Sequence, residues 1–529
     1  MNPPPKLPPR LSRISDYPAH YAAQTPHAEA LSGTGGEYTY ASFAEQVDAI
    51  AAALLARGIR PGDVVATLSP PRAEFFILFL ATARIGAIWL GLNPRATQRE
   101  LAHILDDSDP KLVFSIEGMG ERDFCADLSD LGIGQESLVI IDQAEAFGRF
   151  LAQGRATSSD TLSEAIDAVT PESPALIVYT SGSTGKPKGA MLSQGGMVGS
   201  FFTQYLVAGV ENVRILNNLP INHIGSVGDV SSHALIAGGL IHFMDRFDPA
   251  GSLEAIESRK LTVWGQVPVQ LQQSLESEAF GRHDLSSLEL IFWSGGVAPV
   301  PLVERLQTLA PRLLNAYGMT EATSNVCYTR PDASARELSE TVGQAAPDCE
   351  IRIVDEAGEV LGADRDGEIQ VRSDRLMLGY LNRPEATAGT IDEEGFLHTG
   401  DVGKWGEDGL LRLTGRKTDM FKSGGYNVYP REIEQVLEAI PGVSVAAVVA
   451  APHPVFGESG VAYVQPDRGG ALTQERLREA CGRQLANYKI PKRFRIRQAL
   501  PLLAIGKVDK VALKNDAEKA FTHSDKVQS

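Results

Sequence analysis

Residues 179–189 read YTSGSTGKPKG, the stretch of the chain best equipped for chemistry. Thr180, Ser181, Ser183 and Thr184 supply hydroxyls, Gly182, Gly185 and Gly189 free the backbone, and Lys186 and Lys188 place cations on either side of Pro187. N–H groups, hydroxyls and ammonium groups on a bendable loop suit a phosphate chain. The spacing excludes a Walker loop, because only Ser183 and Thr184 separate Gly182 from Gly185 and Pro187 follows Lys186. The apolar runs 175–179 and 190–192 predict two strands joined by the loop as a hairpin-like flap.

Other reactive residue types fall in short clusters. His223 follows Pro220 in a glycine-spaced segment, with Ile224 and Gly225 next to it. The apolar run 288–298 contains Gly295-Gly296, a pair that lets a planar ring approach the backbone. Residues 315–323, NAYGMTEAT, bring an amide, a phenol, a hydroxyl and a carboxylate close together in Asn315, Tyr317, Thr320 and Glu321. Asp401 beside Gly400 is suited to bind two neighbouring hydroxyls, and the donor fork of Arg416 suits ribose and phosphate.

The 179–189 loop closely resembles the signature loop of the acyl-adenylate-forming superfamily, which includes acyl-CoA synthetases, peptide-synthetase adenylation domains and beetle luciferases. The resemblance runs from about residue 40 to residue 510 and includes RPGD at 60–63 and LNPR at 92–95. It implies that the loop holds the β and γ phosphates of ATP and that Gly295, Gly296, Asn315, Ala316, Tyr317 and Gly318 surround adenine. The Asn315 amide would bond the base edge and Tyr317 would stack on its face. Thr320 would donate to phosphate, Glu321 would carry Mg²⁺, and Asp401 and Arg416 would hold the ribose. Lys507 is implied as the adenylation lysine. Lys422, with Gly424 and Gly425, would serve a later thioester step after a turn of the C-terminal domain about Thr418. The chain has Thr418 where the family usually has Asp or Lys, and Leu502-Leu503 where a basic residue and Thr are usual.

The implied reaction joins a carboxylic acid to AMP, releases pyrophosphate, and passes the acyl group to coenzyme A. His223, Ile224, Gly225, Trp264, Val297, Thr323 and Ser324 would line the acid pocket. Ala316 and Gly318 are small where acetate-activating relatives carry a blocking tryptophan, so a bulky hydrophobic acid, aromatic by preference, is expected. Alternatives are a medium- or long-chain fatty acyl-CoA synthetase, an acyl-AMP ligase that loads a carrier protein, a luciferase-like monooxygenase, and a non-catalytic nucleotide- or acyl-binding paralogue.

Positioning these residues takes more than one core. At 529 residues, 43% hydrophobic and 22% charged, the chain is expected to form several domains. An α/β pattern runs from residue 40: an amphipathic helix, the strand 64–68, and further short strands between helices. The expected architecture has two α/β subdomains and a small β-barrel-like subdomain over residues 1–415, a hinge at 416–418, and an α+β lid over 419–529. The net charge of −17 argues against a nucleic-acid or anionic-membrane surface, so cations for anionic ligands must be concentrated in the site. The stretch 75–92 is long enough to span a membrane, but Arg84, Gly86 and Gly91 interrupt it, and a buried helix followed by a strand is expected. Four widely spaced cysteines without metal spacing fit a reducing compartment, and a cytoplasmic monomer or homodimer is expected.

Overall fold

The computed structural model describes residues 7–180, 187–467, 472–503 and 507–524. Thr39 and Ser42 cap the helix Tyr40–Ala56 reciprocally, and Phe43, Val47, Ile50 and Leu54 on its inner face are buried. The 75–92 stretch divides into the helix Ala73–Arg84 and the strand Ile88–Leu92. Residues 73–83 are all buried, which is where a helix apolar on every side must lie. Among the described residues no helix is long and apolar enough to cross a membrane.

Two large sheets dominate the N-terminal part. The seven-stranded sheet has a parallel centre, with Val64–Leu68 between Ile88–Leu92 and Leu112–Ser115. On one side it continues through the antiparallel hairpin Pro174–Thr180 and Lys188–Ser193 to the two-residue edge strand Gly379–Tyr380. In the nine-stranded sheet Val263–Gln266, Leu290–Ser294 and Arg312–Met319 are parallel neighbours, and Ser324–Tyr328 turns back antiparallel. Ligands of such sheets gather at the C-terminal strand ends. Those ends here open onto Gly295-Gly296 and onto the 3₁₀ turn Thr320–Ala322.

Side-chain alternation sorts the second sheet into two cores. Leu290, Phe292 and Leu314 join the large cluster shared with the first sheet, whereas Ile291, Trp293 and Leu313 pack on the other face. A four-stranded antiparallel sheet follows, made of Glu350–Val354, Gly367–Arg372, Leu397–Trp405 and Leu411–Arg416. From Phe421 a five-stranded sheet with the helices Pro430–Glu438 and Gln474–Gln484 builds a separate C-terminal core. The result is a mixed α/β protein with a large N-terminal part and a small α+β lid.

Candidate active site

The phosphate-loop strands pair with Thr180 opposite Lys188. Ser181, Gly182, Ser183, Thr184, Gly185 and Lys186 lie outside the described residues. Thr180 Oγ1 donates to Glu321 Oε1 at 2.9 Å, and the hydroxyl of Tyr380 donates to the same oxygen at 2.9 Å. The Lys188 ammonium stands 4.2 Å from the centre of the Tyr380 ring. Burial, and then the Glu321 charge, push the Tyr380 phenol up, so it remains a donor. The sequence reading missed Tyr380, which sits on a two-residue edge strand with no periodicity to mark it.

Asp401 and Arg416 are direct cross-strand partners, with Arg416 Nε donating to Asp401 Oδ1 at 2.8 Å. The hydroxyl of Tyr317 donates to Asp401 Oδ2 at 2.8 Å. The carboxylate is therefore fixed from both sides, and each oxygen keeps acceptor capacity for a ligand hydroxyl. The charge of Asp401 raises the Arg416 guanidinium above its usual range.

Lys507 reaches this group from the lid. A Cβ built on Gly295 would stand 2.6 Å from Lys507 Cε and 3.0 Å from Nζ, so the lysine occupies the space that Gly295 leaves open. Burial lowers the Lys507 pKa, Arg416 lowers it further, and Asp401 opposes both. Burial and then the Lys507 charge bring His223 down to about 4. The Gly225 N–H donates to His223 Nδ1 at 3.0 Å, which leaves the proton of the neutral ring on Nε2. Lys507 and Arg416 bring two cations to this corner against the one carboxylate of Asp401, a balance that suits anionic ligands. Thr320 is buried in the turn with Glu321, Gly296 is exposed beside Gly295, and Val297 is half-buried.

Several expected roles change with the structure. The Asn315 amide N–H₂ donates to the carbonyls of Leu338 at 3.1 Å and Thr341 at 2.9 Å. Its donors clamp the sheet to the following segment and are not offered to a base. Gly318 does not leave pocket volume, since a Cβ there would strike the backbone of Ser324 and Asn325. Trp264 does not fit its expected role in lining an acid pocket: strand alternation turns it to the opposite face of the sheet, into the core with Ile291 and Trp293. Gly225 also makes room for His223, because a Cβ at 225 would stand 3.0 Å from its Nδ1.

Thr323 and Ser324 take left-handed backbone with φ of 53° and 91°, a strain that both side chains share with few non-glycine residues. Ser324 Oγ donates to the buried Asp229 carboxylate, which Asn325 Nδ2 also bonds at 3.0 Å. Ile224 and Ala316 are buried. Lys422, Gly424 and Gly425 are exposed on a lid hairpin that bonds to Phe456, Gly457 and Glu458 of the lid itself. Positive φ values of 59° and 88° explain the two glycines of that turn. Thr418 is exposed just after the last body strand.

The AMP-binding enzyme family matches residues 19–381, and the C-terminal domain of AMP-binding enzymes matches residues 432–507. The chain belongs to this family. It is 33% identical to the indoleacetate–CoA ligase of Aromatoleum aromaticum, over 94% of this chain and 96% of that protein. It is 31% identical to a feruloyl-CoA synthase of an Amycolatopsis species, over 97% of this chain and 100% of the relative. The o-succinylbenzoate CoA synthetase of Bacillus subtilis, solved with its acyl-adenylate intermediate, superposes with a TM-score of 0.80 at 28% identity and covers 94% of this chain and 98% of its own.

Proposed function

We propose that the protein is an AMP-forming acid:CoA ligase acting on a hydrophobic, aromatic or similarly bulky carboxylic acid. The observation that carries this reading is Lys507 seated against Gly295 beside His223, with the Tyr317–Asp401–Arg416 group completing the corner. A carboxylate is a poor acyl donor, and replacing its oxide leaving group by AMP makes transfer feasible. Lys507 offers positive charge where the acid carboxylate and the α-phosphate meet, and Asp401 with Arg416 fixes the ribose. The 180–188 loop retains the departing pyrophosphate. Named relatives that act on indoleacetate and ferulate support an aromatic acid.

Glu321 sits among oxygen donors, with Thr180 and Tyr380 on one carboxylate oxygen, an environment that fits a hard cation such as Mg²⁺. No cluster of three ligating side chains stands among the described residues, so such an ion would complete its shell with phosphate oxygens and water. When bound it would offset the charge of the phosphates. Tyr380→Phe is expected to raise KM for ATP by about 5- to 10-fold by freeing Glu321 from one of its two hydroxyl donors. Initial rates of pyrophosphate release against ATP concentration check this, and an unchanged KM would contradict the role.

For the second step the lid turns about residues 416–418, removing Lys507 and bringing the Lys422 hairpin to the thiol of coenzyme A. Lys422→Ala is accordingly expected to slow thioester formation at least about 10-fold while altering adenylation less than 3-fold. Single-turnover measurements of the two half-reactions decide it, and a greater loss in adenylation would reverse the assignment. The whole reading is tested by pyrophosphate release over a panel of carboxylic acids, with and without coenzyme A. No release with any acid would sink it; release without acyl-CoA would direct the acyl group to another acceptor.

A further inference from the structure

The helix Gln98–Ser108 supplies neither hydroxyl donor of Glu321, yet it holds the segments on which both are carried. Leu101 and Leu105 bury one stripe of this helix, and Thr97 with Glu100 caps its start reciprocally. His103 and Asp107 stand four residues apart and so project from one face. Asp107 Oδ2 accepts from the hydroxyl of Tyr179, the residue before Thr180, at 2.8 Å. Its Oδ1 accepts from Arg383 Nη2 at 2.7 Å, and its backbone carbonyl accepts from Asn382 Nδ2 at 3.0 Å. Both donors follow shortly after Tyr380 in the chain. His103 Nε2 stands 3.2 Å from the carbonyl oxygen of Pro187, the residue before Lys188. A carbonyl only accepts, so that nitrogen carries a proton and donates.

Thr180 and Tyr380 are the two donors to Glu321, and Lys188 lies over the Tyr380 ring. Each of the three is therefore held by a chain neighbour bonded to His103 or Asp107. The strand pairing adds to this, because Tyr380 lies opposite Ala190 and the Leu381 N–H donates to the Gly189 carbonyl at 2.8 Å.

The setting of Asp107 argues for such a task. A carboxylate in the last turn of a helix faces the negative end of the helix dipole, which disfavours it. Its side chain is only 8% exposed, so water offers little compensation. Tyr179 and Arg383 supply it, each on a different oxygen. Burial, and then the bond to Asp107, push the Tyr179 phenol far above its usual range, so it remains the donor. Pairing with Arg383 also offsets a charge that would otherwise oppose an anionic ligand beyond Thr180. Asn382 has left-handed backbone with φ of 53°, a conformation asparagine tolerates.

We propose that His103 and Asp107 are positioning residues for adenylation, which fix Thr180, Lys188 and Tyr380 around Glu321 through their chain neighbours. This rests on the acid:CoA ligase reading above, in which Glu321 serves the phosphate end of ATP. The test measures pyrophosphate release against ATP and against acid separately, together with MgATP binding by calorimetry and the melting temperature. Asp107→Ala is expected to raise KM for ATP at least ~10-fold and to weaken MgATP binding by a similar factor. KM for the acid should stay within ~2-fold and the thioester step from supplied acyl-AMP within ~3-fold. Tyr179→Phe, which removes one donor, should raise KM for ATP about 3-fold. His103→Leu should do so about 3- to 5-fold, and His103→Gln, whose side chain still ends in an N–H, should restore it. Combined with Tyr380→Phe, Asp107→Ala should cost less than the product of the two single effects.

The helix keeps its apolar anchor of Leu101 and Leu105 in all these variants. Equal rises in both KM values, equal loss of both half-reactions, or a lowered melting temperature with KM for ATP unchanged would overturn the proposal and leave the two residues as supports of the helix alone. If Asp107→Ala does not fold, Tyr179→Phe and the two His103 variants decide by the same readouts. Absence of pyrophosphate release from the wild type with any acid would remove the ligase reading. Weaker MgATP binding by the variants would then still uphold the positioning, and unchanged binding would overturn it.

Discussion

Replacing Lys507 by alanine is expected to reduce acyl-adenylate formation by about 10³-fold or more, roughly 4 kcal/mol, while thioester formation from supplied acyl-AMP stays measurable. The lysine is held where Gly295 provides room, and the nearby carboxylate of Asp401 is already paired with Arg416. Charge that has not been neutralised by the protein is available to the carboxylate and the phosphate as they react. Separate assays of the two half-reactions check this, and equal loss of both would contradict a lid that serves them in different orientations. The same environment gives a pH signature. Burial, and then Arg416, lower the Lys507 pKa, so its proton is lost at lower pH than from a solvent-exposed lysine. The alkaline fall in kcat/KM for adenylation should therefore begin below the ordinary lysine range, and Lys507→Ala should remove that limb from the residual activity.

The parts of this site legible in the sequence are those whose neighbours are close in the chain. The Thr180–Lys188 hairpin follows from two apolar runs around a glycine loop, and the Tyr40–Ala56 helix from its periodicity. Asp401 and Arg416 were placed separately on the ribose, yet only strand register shows that they face one another. Where side-chain direction decided the role, composition misled. Trp264 looks like pocket lining until the two-residue alternation sends it to the opposite core. Asn315 has the right amide but uses its donors on Leu338 and Thr341. Tyr380 meets Glu321 only through tertiary packing of a two-residue edge strand.

Gly295→Ala is expected to cost adenylation about 10²-fold in a protein that still folds, and Lys507 is the reason. The backbone of Gly295 has φ of 77°, which charges a non-glycine residue about 1–2 kcal/mol, a loss that a chain with separate large cores tolerates. The neighbours a new Cβ would meet are Lys507 Cε at 2.6 Å and Nζ at 3.0 Å, the end of a flexible side chain and not backbone. Packing is therefore relieved by moving the lysine, and the amine is displaced from the place where it acts. In the proposed turned orientation of the lid that contact is absent, so the thioester step from supplied acyl-AMP should fall less than about 10-fold. A double-mutant cycle separates this from a direct effect on the substrate. On a Lys507→Ala background the alanine at 295 should remove little further adenylation activity. Fully additive losses would show that Gly295 contributes through the nucleotide or acid it touches, independently of the lysine it makes room for.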